Sequence, residues 1–204
     1  MFRRIAFQPC LVRSASAVAF AVLLMPAIAC TGGIHQKGEN QFGISGSFGT
    51  AIKGQAVWPD GDGRADNAGV TLDYHRFVAD RLAIGGAIVP YRNYNLSGSD
   101  STTGEFQLGV RYYFFEFDAL GKPVALYGQL TGGIMNGSRS VPEEGTHTNF
   151  TQDSTLAMEV KLTENLSWQT GYRLRHLSNG YIFGSENPSQ NDHQVFTGLA
   201  ITWK

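Results

Sequence analysis

Residues 105–114 read EFQLGVRYYF, and this segment gives the clearest indication of the fold. Its even-numbered positions are all apolar, whereas Glu105, Gln107 and Arg111 stand at odd-numbered positions. The side chains of a β-strand point alternately to its two faces. Strict alternation over this length therefore predicts a strand with one apolar and one polar face.

Seven further segments of the chain alternate in the same way. They run from Phe42 to Ile52, Val70 to His75, Leu82 to Ile88, Val124 to Ile134, Leu156 to Leu162, Leu166 to Arg175, and Gln194 to Trp203. With residues 105–114 they make eight segments of about ten residues each, the length that a tilted transmembrane strand requires. A transmembrane helix needs about 20 apolar residues, and no run after the N-terminal region is long enough.

The charges on the polar faces distinguish a membrane barrel from a soluble sandwich or lipocalin. Glu105, Arg111, Asp73, Glu159 and Arg173 all stand in mid-strand. Such groups are costly in an apolar core, but the polar face of a membrane barrel is its interior, where charges pair or meet water. The sequence therefore predicts an all-β fold, an eight-stranded antiparallel transmembrane β-barrel with a network of interior charges.

The lengths of the connections predict the orientation of the barrel. Those after the second, fourth and sixth strands are short, at Asp80–Arg81, Asp118–Lys122 and Thr163–Asn165. The other connections are longer, at Trp58–Asn67, Asn93–Thr103, Asn136–Asn149 and Asn179–Asp192. Outer-membrane barrels have short periplasmic turns and long extracellular loops. We therefore expect a bacterial outer-membrane location with both termini in the periplasm.

Residues 1–29 are expected to be a cleaved signal peptide, and residues 30–204 the barrel domain. Arg3 and Arg4 precede an apolar run that ends in Ala27-Ile28-Ala29. That run is about 14 residues long, too short for a spanning helix, and it ends in a small-residue cleavage site. The alternative is a lipoprotein in which Cys30 is lipidated, although the usual Leu three residues before a lipidated cysteine is missing.

The composition excludes several classes of ligand. The formal net charge of −1 gives no basic surface for nucleic acid. Charged residues make up only 16% of the chain, against about 25% in soluble domains. His35 and His147 stand in polar, flexible stretches without a partner at ligand spacing, so we predict no metal site.

One segment, Arg175 to Gly180 at the end of the seventh strand, carries candidate chemistry. His176 and Ser178 are two residues apart, so they share a face with Leu174, the face predicted to contact lipid. A polar pair in hydrocarbon is costly, and an imidazole beside a hydroxyl is what an activated nucleophile needs. The pattern alone equally allows that the strand has left the membrane here and that both residues are hydrated.

This segment, the loop with Asn187-Pro188 and the last strand resemble the lipid A 3-O-deacylase (PagL-like) family of outer-membrane barrels. The resemblance implies a serine-hydrolase mechanism, with Ser178 as the nucleophile and His176 as its general base. It also implies that Asn179 and the backbone N–H groups around Gly180 stabilise the oxyanion. The implied partner is lipid A of lipopolysaccharide in the outer leaflet, without metal or cofactor. Homodimer formation stays open.

The family has a carboxylate at the start of the last strand as its third catalytic member, and this chain departs from it. Once one extra loop residue is allowed for, that position is Asn191. Asn191 shares the lipid-facing parity of His193, whereas Asp192 has interior parity and Glu186 lies within the loop. We therefore expect Asn191 to orient His176, with Glu186 and Asp192 as alternates.

Two functions follow from the sequence. The first is an outer-membrane esterase that removes the 3-O-linked acyl chain of lipid A. The alternative is a non-enzymatic structural or adhesin-type barrel whose loops bind partners and whose His176 and Ser178 are incidental. Release of 3-hydroxy fatty acid from lipid A distinguishes them.

Overall fold

The computed structural model describes residues 33–52, 65–184 and 187–204. Within this part of the chain, antiparallel strands form a closed barrel in which sequential neighbours pair and the first strand pairs with the last. The strands are β1 (Asn40–Ala51), β2 (Asp66–Ala79), β3 (Leu82–Tyr94), β4 (Ser101–Ala119), β5 (Lys122–Gly137), β6 (Thr148–Lys161), β7 (Leu166–Ser178) and β8 (Gln190–Trp203). The predicted eight-stranded barrel is confirmed.

The two faces of the barrel wall have opposite chemistry. Phe106, Leu108 and Val110 are exposed on the outside, while Glu105 and Gln107, which alternate with them on β4, are buried in the interior. A one-residue slip would turn every interior charge outward, so the alternation specifies the strand register. The apolar exterior is the surface that such a barrel presents to lipid.

Salt bridges pair the interior charges across the lumen. Arg175 Nη2 lies 2.8 Å from Glu105 Oε2, and Arg175 Nη1 lies 3.0 Å from Asp192 Oδ2. Arg173 Nε lies 3.7 Å from Asp153 Oδ2. Desolvating an ion is expensive, so buried charges persist only where they are paired. The predicted interior network is therefore present, and its Arg175 bridges tie β7 to β4 and β8.

The connections alternate between short turns at one end of the barrel and longer loops at the other. The turns span residues 80–81, 120–121 and 162–165, and the longer connections join Ala51 to Asp66, Tyr94 to Ser101, Gly137 to Thr148 and Ser178 to Gln190. The second turn is shorter than predicted because β4 continues to Ala119 and positive φ angles at Leu120 and Gly121 reverse the chain. Asn40 of β1 pairs with Trp203 of β8. The start of the first strand and the end of the last strand therefore both lie at the short-turn end of the barrel.

The segment before β1 differs from the sequence expectation. His35, expected in a polar, flexible stretch, is fully buried at the short-turn end. Its Nε2 lies 3.0 Å from Glu159 Oε1, and its ring stacks on Phe77 with a centroid distance of 4.3 Å. Gly38 N–H donates to the Phe77 carbonyl, which anchors the segment on β2. The expectation was wrong because a single histidine gives no periodic signal of burial.

Some sequence features lie outside the described residues. These are the predicted signal peptide (residues 1–29), Cys30 and Glu186. Among the described residues, no helix is long and apolar enough to cross a membrane.

Candidate active site

The candidate site lies on the outer face of β7, at the long-loop end of the barrel. His176 and Ser178 are half-buried and alternate with Arg175 and Leu177, which are fully buried in the interior. The strand pairing sets His176 opposite Asn191 of β8 and Ser178 opposite Phe150 of β6. The face predicted for this pair of residues is therefore the face on which the structure has them.

Asn191 holds one nitrogen of the His176 ring. The Nδ1 atom of His176 and the Oδ1 atom of Asn191 are 2.8 Å apart. Because an amide oxygen only accepts, Nδ1 carries the proton, and the neutral ring has its lone pair on Nε2. Nε2 is then the nitrogen with the character of a general base.

The two alternates for the third member are situated differently. Asp192 is fully buried inside the barrel, where it accepts from Arg175 Nη1 at 3.0 Å and from Gln190 Nε2 at 2.7 Å. Asp192 therefore stabilises the pair of β7 and β8 from the interior face of the barrel, whereas His176 lies on the outer face. Glu186 lies outside the described residues, so it stays a sequence-based alternate.

The turn after Ser178 presents consecutive backbone N–H groups. The N–H groups of Asn179 and Gly180 both donate to Asn187 Oδ1, at 2.8 and 2.9 Å. The N–H group of Tyr181 donates to Asn179 Oδ1 at 2.8 Å. The donors predicted around Gly180 thus converge on one oxygen, which belongs to Asn187. Nothing in the sequence pattern indicated this contact, because a loop has no periodicity that places its side chains.

Apolar side chains lie on the strand and the loop next to the candidate nucleophile. Phe150, the cross-strand partner of Ser178, packs on Phe183 with a ring-centroid distance of 5.4 Å. Tyr181 and Ile182 are largely exposed in the same loop. A hydroxyl and an imidazole within such surroundings can act on an ester whose acyl chain is already in the membrane.

Within the described residues, no group of three or more His, Cys, Asp or Glu side chains is arranged to hold a metal ion. The chemistry at this site is that of a hydroxyl, a neutral imidazole held by an amide, and backbone N–H donors. These are the kinds of group that acyl transfer through a covalent serine intermediate uses.

The chain matches one family model, described as lipid A 3-O-deacylase (PagL), over residues 84–200. This range is more than half of the 204 residues, and it contains every residue of the candidate site. No curated protein matches the chain.

Several solved outer-membrane proteins have a similar fold. The outer membrane enzyme PagL superposes with a TM-score of 0.56 and 13% identity, over 76% of this chain and 97% of its own. Neisserial surface protein A gives a TM-score of 0.54 and 14% identity, over 81% and 99%. OprG from Pseudomonas aeruginosa gives 0.50 and 12%, over 83% and 97%. The fold is thus that of bacterial outer-membrane barrels.

Proposed function

The chain belongs to the lipid A 3-O-deacylase (PagL) family, and we propose that it is an outer-membrane esterase that removes the 3-O-linked acyl chain of lipid A. The observation that carries the proposal is the outward-facing pair of His176 and Ser178, with His176 Nδ1 held by Asn191 Oδ1 at 2.8 Å. A base held in one tautomer beside a hydroxyl is the arrangement that activates a serine.

In the acylation step, Ser178 Oγ forms a bond to the carbonyl carbon of the ester while its proton passes to His176. The π electrons of the carbonyl move to its oxygen, and N–H groups of the Asn179–Gly180 turn stabilise that oxyanion. Collapse of the intermediate breaks the bond between the carbonyl carbon and the sugar oxygen, and His176 returns the proton to that oxygen. The products are acylated Ser178 and lipid A with a free 3-hydroxyl.

Water completes the cycle. It attacks the acyl carbonyl carbon while His176 takes one of its protons, and a second tetrahedral intermediate forms. This intermediate expels the Ser178 oxygen, which receives the proton from His176, and the fatty acid is released. Each step uses a proton that His176 has just accepted, so the enzyme returns to its starting state.

The position of the pair on the barrel supports this substrate. The long loops are extracellular in our proposal, and the short turns and both termini are periplasmic. His176 and Ser178 then stand at the level of the outer leaflet, where lipid A resides. The acyl chain reaches Ser178 from the side, through lipid, without leaving the membrane.

The test uses barrel purified in its folded form, lipid A in detergent, and measurement of released 3-hydroxy fatty acid. Ser178→Ala and His176→Ala are each expected to lower turnover by on the order of 10⁴-fold. Thr170→Ala is the matched control, because it removes a hydroxyl from the same strand. The Thr170 hydroxyl donates a hydrogen bond to the Phe196 carbonyl. Near-normal turnover by folded Ser178→Ala would remove the assignment of Ser178 as the nucleophile. Folded wild-type barrel that releases no fatty acid would favour the structural or adhesin-type alternative.

A further inference from the structure

Gln152 is an exposed polar residue on the outer face of β6, directly beside the candidate site. The strand pairing sets it opposite His176 of β7, so the two side chains lie on the same outward face. Its chain neighbours Thr151 and Asp153 are buried in the interior. Polar side chains are costly on a surface that faces lipid, and those that occur there commonly have a function.

His176 is covered by protein on the side of β8. Its Nδ1 atom is hydrogen-bonded to Asn191 of β8, and Asn191 is only 1% exposed. The two nitrogens of an imidazole ring point in roughly opposite directions, so the basic Nε2 atom faces away from β8. On the other side of the ring, Gln152 of β6 is exposed. An ester that approaches Ser178 from this accessible side therefore lies against β6.

Gly132 of β5 leaves space beside Gln152 on the same outer face. The two residues pair across β5 and β6, and Gly132 is exposed. The nearest atom to a Cβ added at Gly132 would be the Thr151 carbonyl oxygen, 4.0 Å away, so no neighbouring side chain fills this position. Leu130 and Ile134, the outward-facing residues on either side of Gly132, are exposed. An acyl chain can therefore lie in an apolar depression that Gln152 borders.

The reach of the Gln152 side chain matches the chemistry of the substrate. The acyl chain in the proposed reaction carries a hydroxyl on its third carbon, two carbons beyond the carbonyl that Ser178 attacks. Gln152 is the diagonal cross-strand neighbour of Ser178, a relationship that separates residues by about 7–8 Å. The glutamine side chain and the two carbons of the acyl chain together cover this separation. A carboxamide has N–H donors and an acceptor oxygen, so it can donate to a hydroxyl and accept from it.

We propose that Gln152 binds the 3-hydroxyl group of the acyl chain and makes the site selective for 3-hydroxyacyl esters. This inference rests on the proposed function. The hydroxyl lies at a nearly constant distance from the carbonyl carbon, so its hydrogen bond to Gln152 positions that carbon at Ser178. An ester without the hydroxyl lacks this bond and is held less well in the reactive position.

The experiment compares two synthetic glucosamine phosphates in detergent, which carry either a 3-hydroxytetradecanoyl or a tetradecanoyl ester at the 3-oxygen. Folded wild-type barrel is expected to cleave the hydroxylated ester with a kcat/KM about tenfold higher. Gln152→Met keeps the length of the side chain without its amide, and we expect this preference to disappear. The loss should affect the hydroxylated ester, and kcat/KM for the plain ester should be unchanged.

Ser154→Ala is the matched control for Gln152→Met. Ser154 is the next outward-facing residue of β6, opposite Leu174 and farther from Ser178. This variant should keep the wild-type preference for the hydroxylated ester. Gln152→Leu repeats the test with a second apolar side chain, which a lipid-facing position tolerates.

The relative rates for the two esters decide whether Gln152 has this role. Equal kcat/KM values in the wild type, or a preference that persists in both Gln152 variants, would overturn it. So would an equal loss for both esters, which is the effect expected of a purely structural residue. Wild-type barrel that shows the expected selectivity but leaves lipid A intact would support the role of Gln152 and refute the proposed substrate. Wild-type barrel that cleaves neither ester would refute both.

Discussion

At the scale of single residues, His176 has a neutral partner in the proposed mechanism. Asn191 Oδ1 fixes the ring through a 2.8 Å hydrogen bond, as an aspartate or glutamate would. A neutral amide sets the tautomer but gives less charge stabilisation to the imidazolium that forms during the reaction. We infer that the proposed triad of this chain has a neutral third member and therefore only part of the usual electrostatic support.

Substitutions at Asn191 test that inference. Asn191→Asp keeps the shape and adds the charge, so kcat for lipid A deacylation should stay the same or rise. Asn191→Leu leaves His176 Nδ1 without this acceptor, and kcat should fall by on the order of 100-fold or more. Both are measured by fatty acid release from folded protein.

Asp192→Asn and Glu186→Gln complete the comparison. If Asn191→Leu is harmless while Glu186→Gln abolishes turnover, the orienting residue lies in the β7–β8 loop instead. Asp192→Asn is expected to act through stability, because Asp192 pairs with Arg175 inside the barrel.

The sequence predicted the placement of single residues correctly where the alternation of a β-strand determines it. Parity distinguished Asn191 from Asp192, and the structure sets them on opposite faces of β8 as expected. The contacts of Asn187 could not be predicted, because the direction of a loop side chain depends on tertiary packing and not on alternation.

At the scale of the strands, β7 is held from inside by a buried ion cluster. Arg175 pairs with Glu105 of β4 and with Asp192 of β8, and none of these side chains is exposed. Arg175 is adjacent to His176 in the chain, so the cluster supports the strand pair directly behind the candidate site. Removing one partner of a buried pair leaves an uncompensated charge.

Arg175→Gln should therefore lower the free energy of unfolding by about 3–5 kcal/mol. The matched control is Arg92→Gln, since the Arg92–Asp100 pair is 62% and 40% exposed and should contribute no more than about 1 kcal/mol. Urea titration of the two variants in lipid vesicles measures the difference. Equal losses in both variants would contradict the role of the buried cluster.

The segment before β1 gives the barrel a pH-dependent contribution to stability. Burial lowers the pKa of His35, but the charge of Glu159 and hydrogen bonds to Glu159 and Glu39 outweigh burial and raise it above its ordinary 6.5. Lys161 opposes them weakly, and Tyr113 packs on the ring. A raised pKa stabilises the fold below 6.5, and the gain is lost as pH rises through the folded value.

His35→Gln should flatten this dependence. The free energy of unfolding of wild type minus that of the variant is expected to be largest near about pH 5.5 and to shrink toward about pH 9. The pKa of Glu39 is lowered by its bond to His35, so Glu39 stays ionised across this range. A difference that is constant with pH would show that His35 is not protonated in the fold.

Element boundaries were less predictable than the existence of the strands. In β4 the register shifts between Tyr113 and Phe115, so that Tyr113 is buried while Phe114 and Phe115 are both exposed. Such a bulge adds one residue to one strand. Because residues 113–115 are all aromatic, the sequence does not indicate where the bulge occurs. Likewise, the strands extend beyond the apolar pattern, because backbone pairing continues past the last lipid-facing residue.

At the scale of the whole molecule, the fold was predictable because the bilayer imposes one rule on every strand. Each of the eight strands has an apolar outer face and a polar inner face, so an error in predicting one strand does not affect the prediction of the others. The function of the barrel was less predictable, because alternation determines the face of a side chain but not its chemical role. Its candidate site is formed by a few outward-facing residues at one seam between β7 and β8.

Mass spectrometry of lipid A is the sharpest test of whether Ser178 removes one particular acyl chain. Lipid A would be extracted from outer membranes that contain folded wild-type barrel or folded Ser178→Ala barrel. We expect the wild type to yield lipid A that lacks a single ester-linked 3-hydroxyacyl chain at position 3, with its amide-linked chains intact, and the variant to yield intact lipid A. Intact lipid A in both samples, or the same loss in both, would refute the proposed role of Ser178.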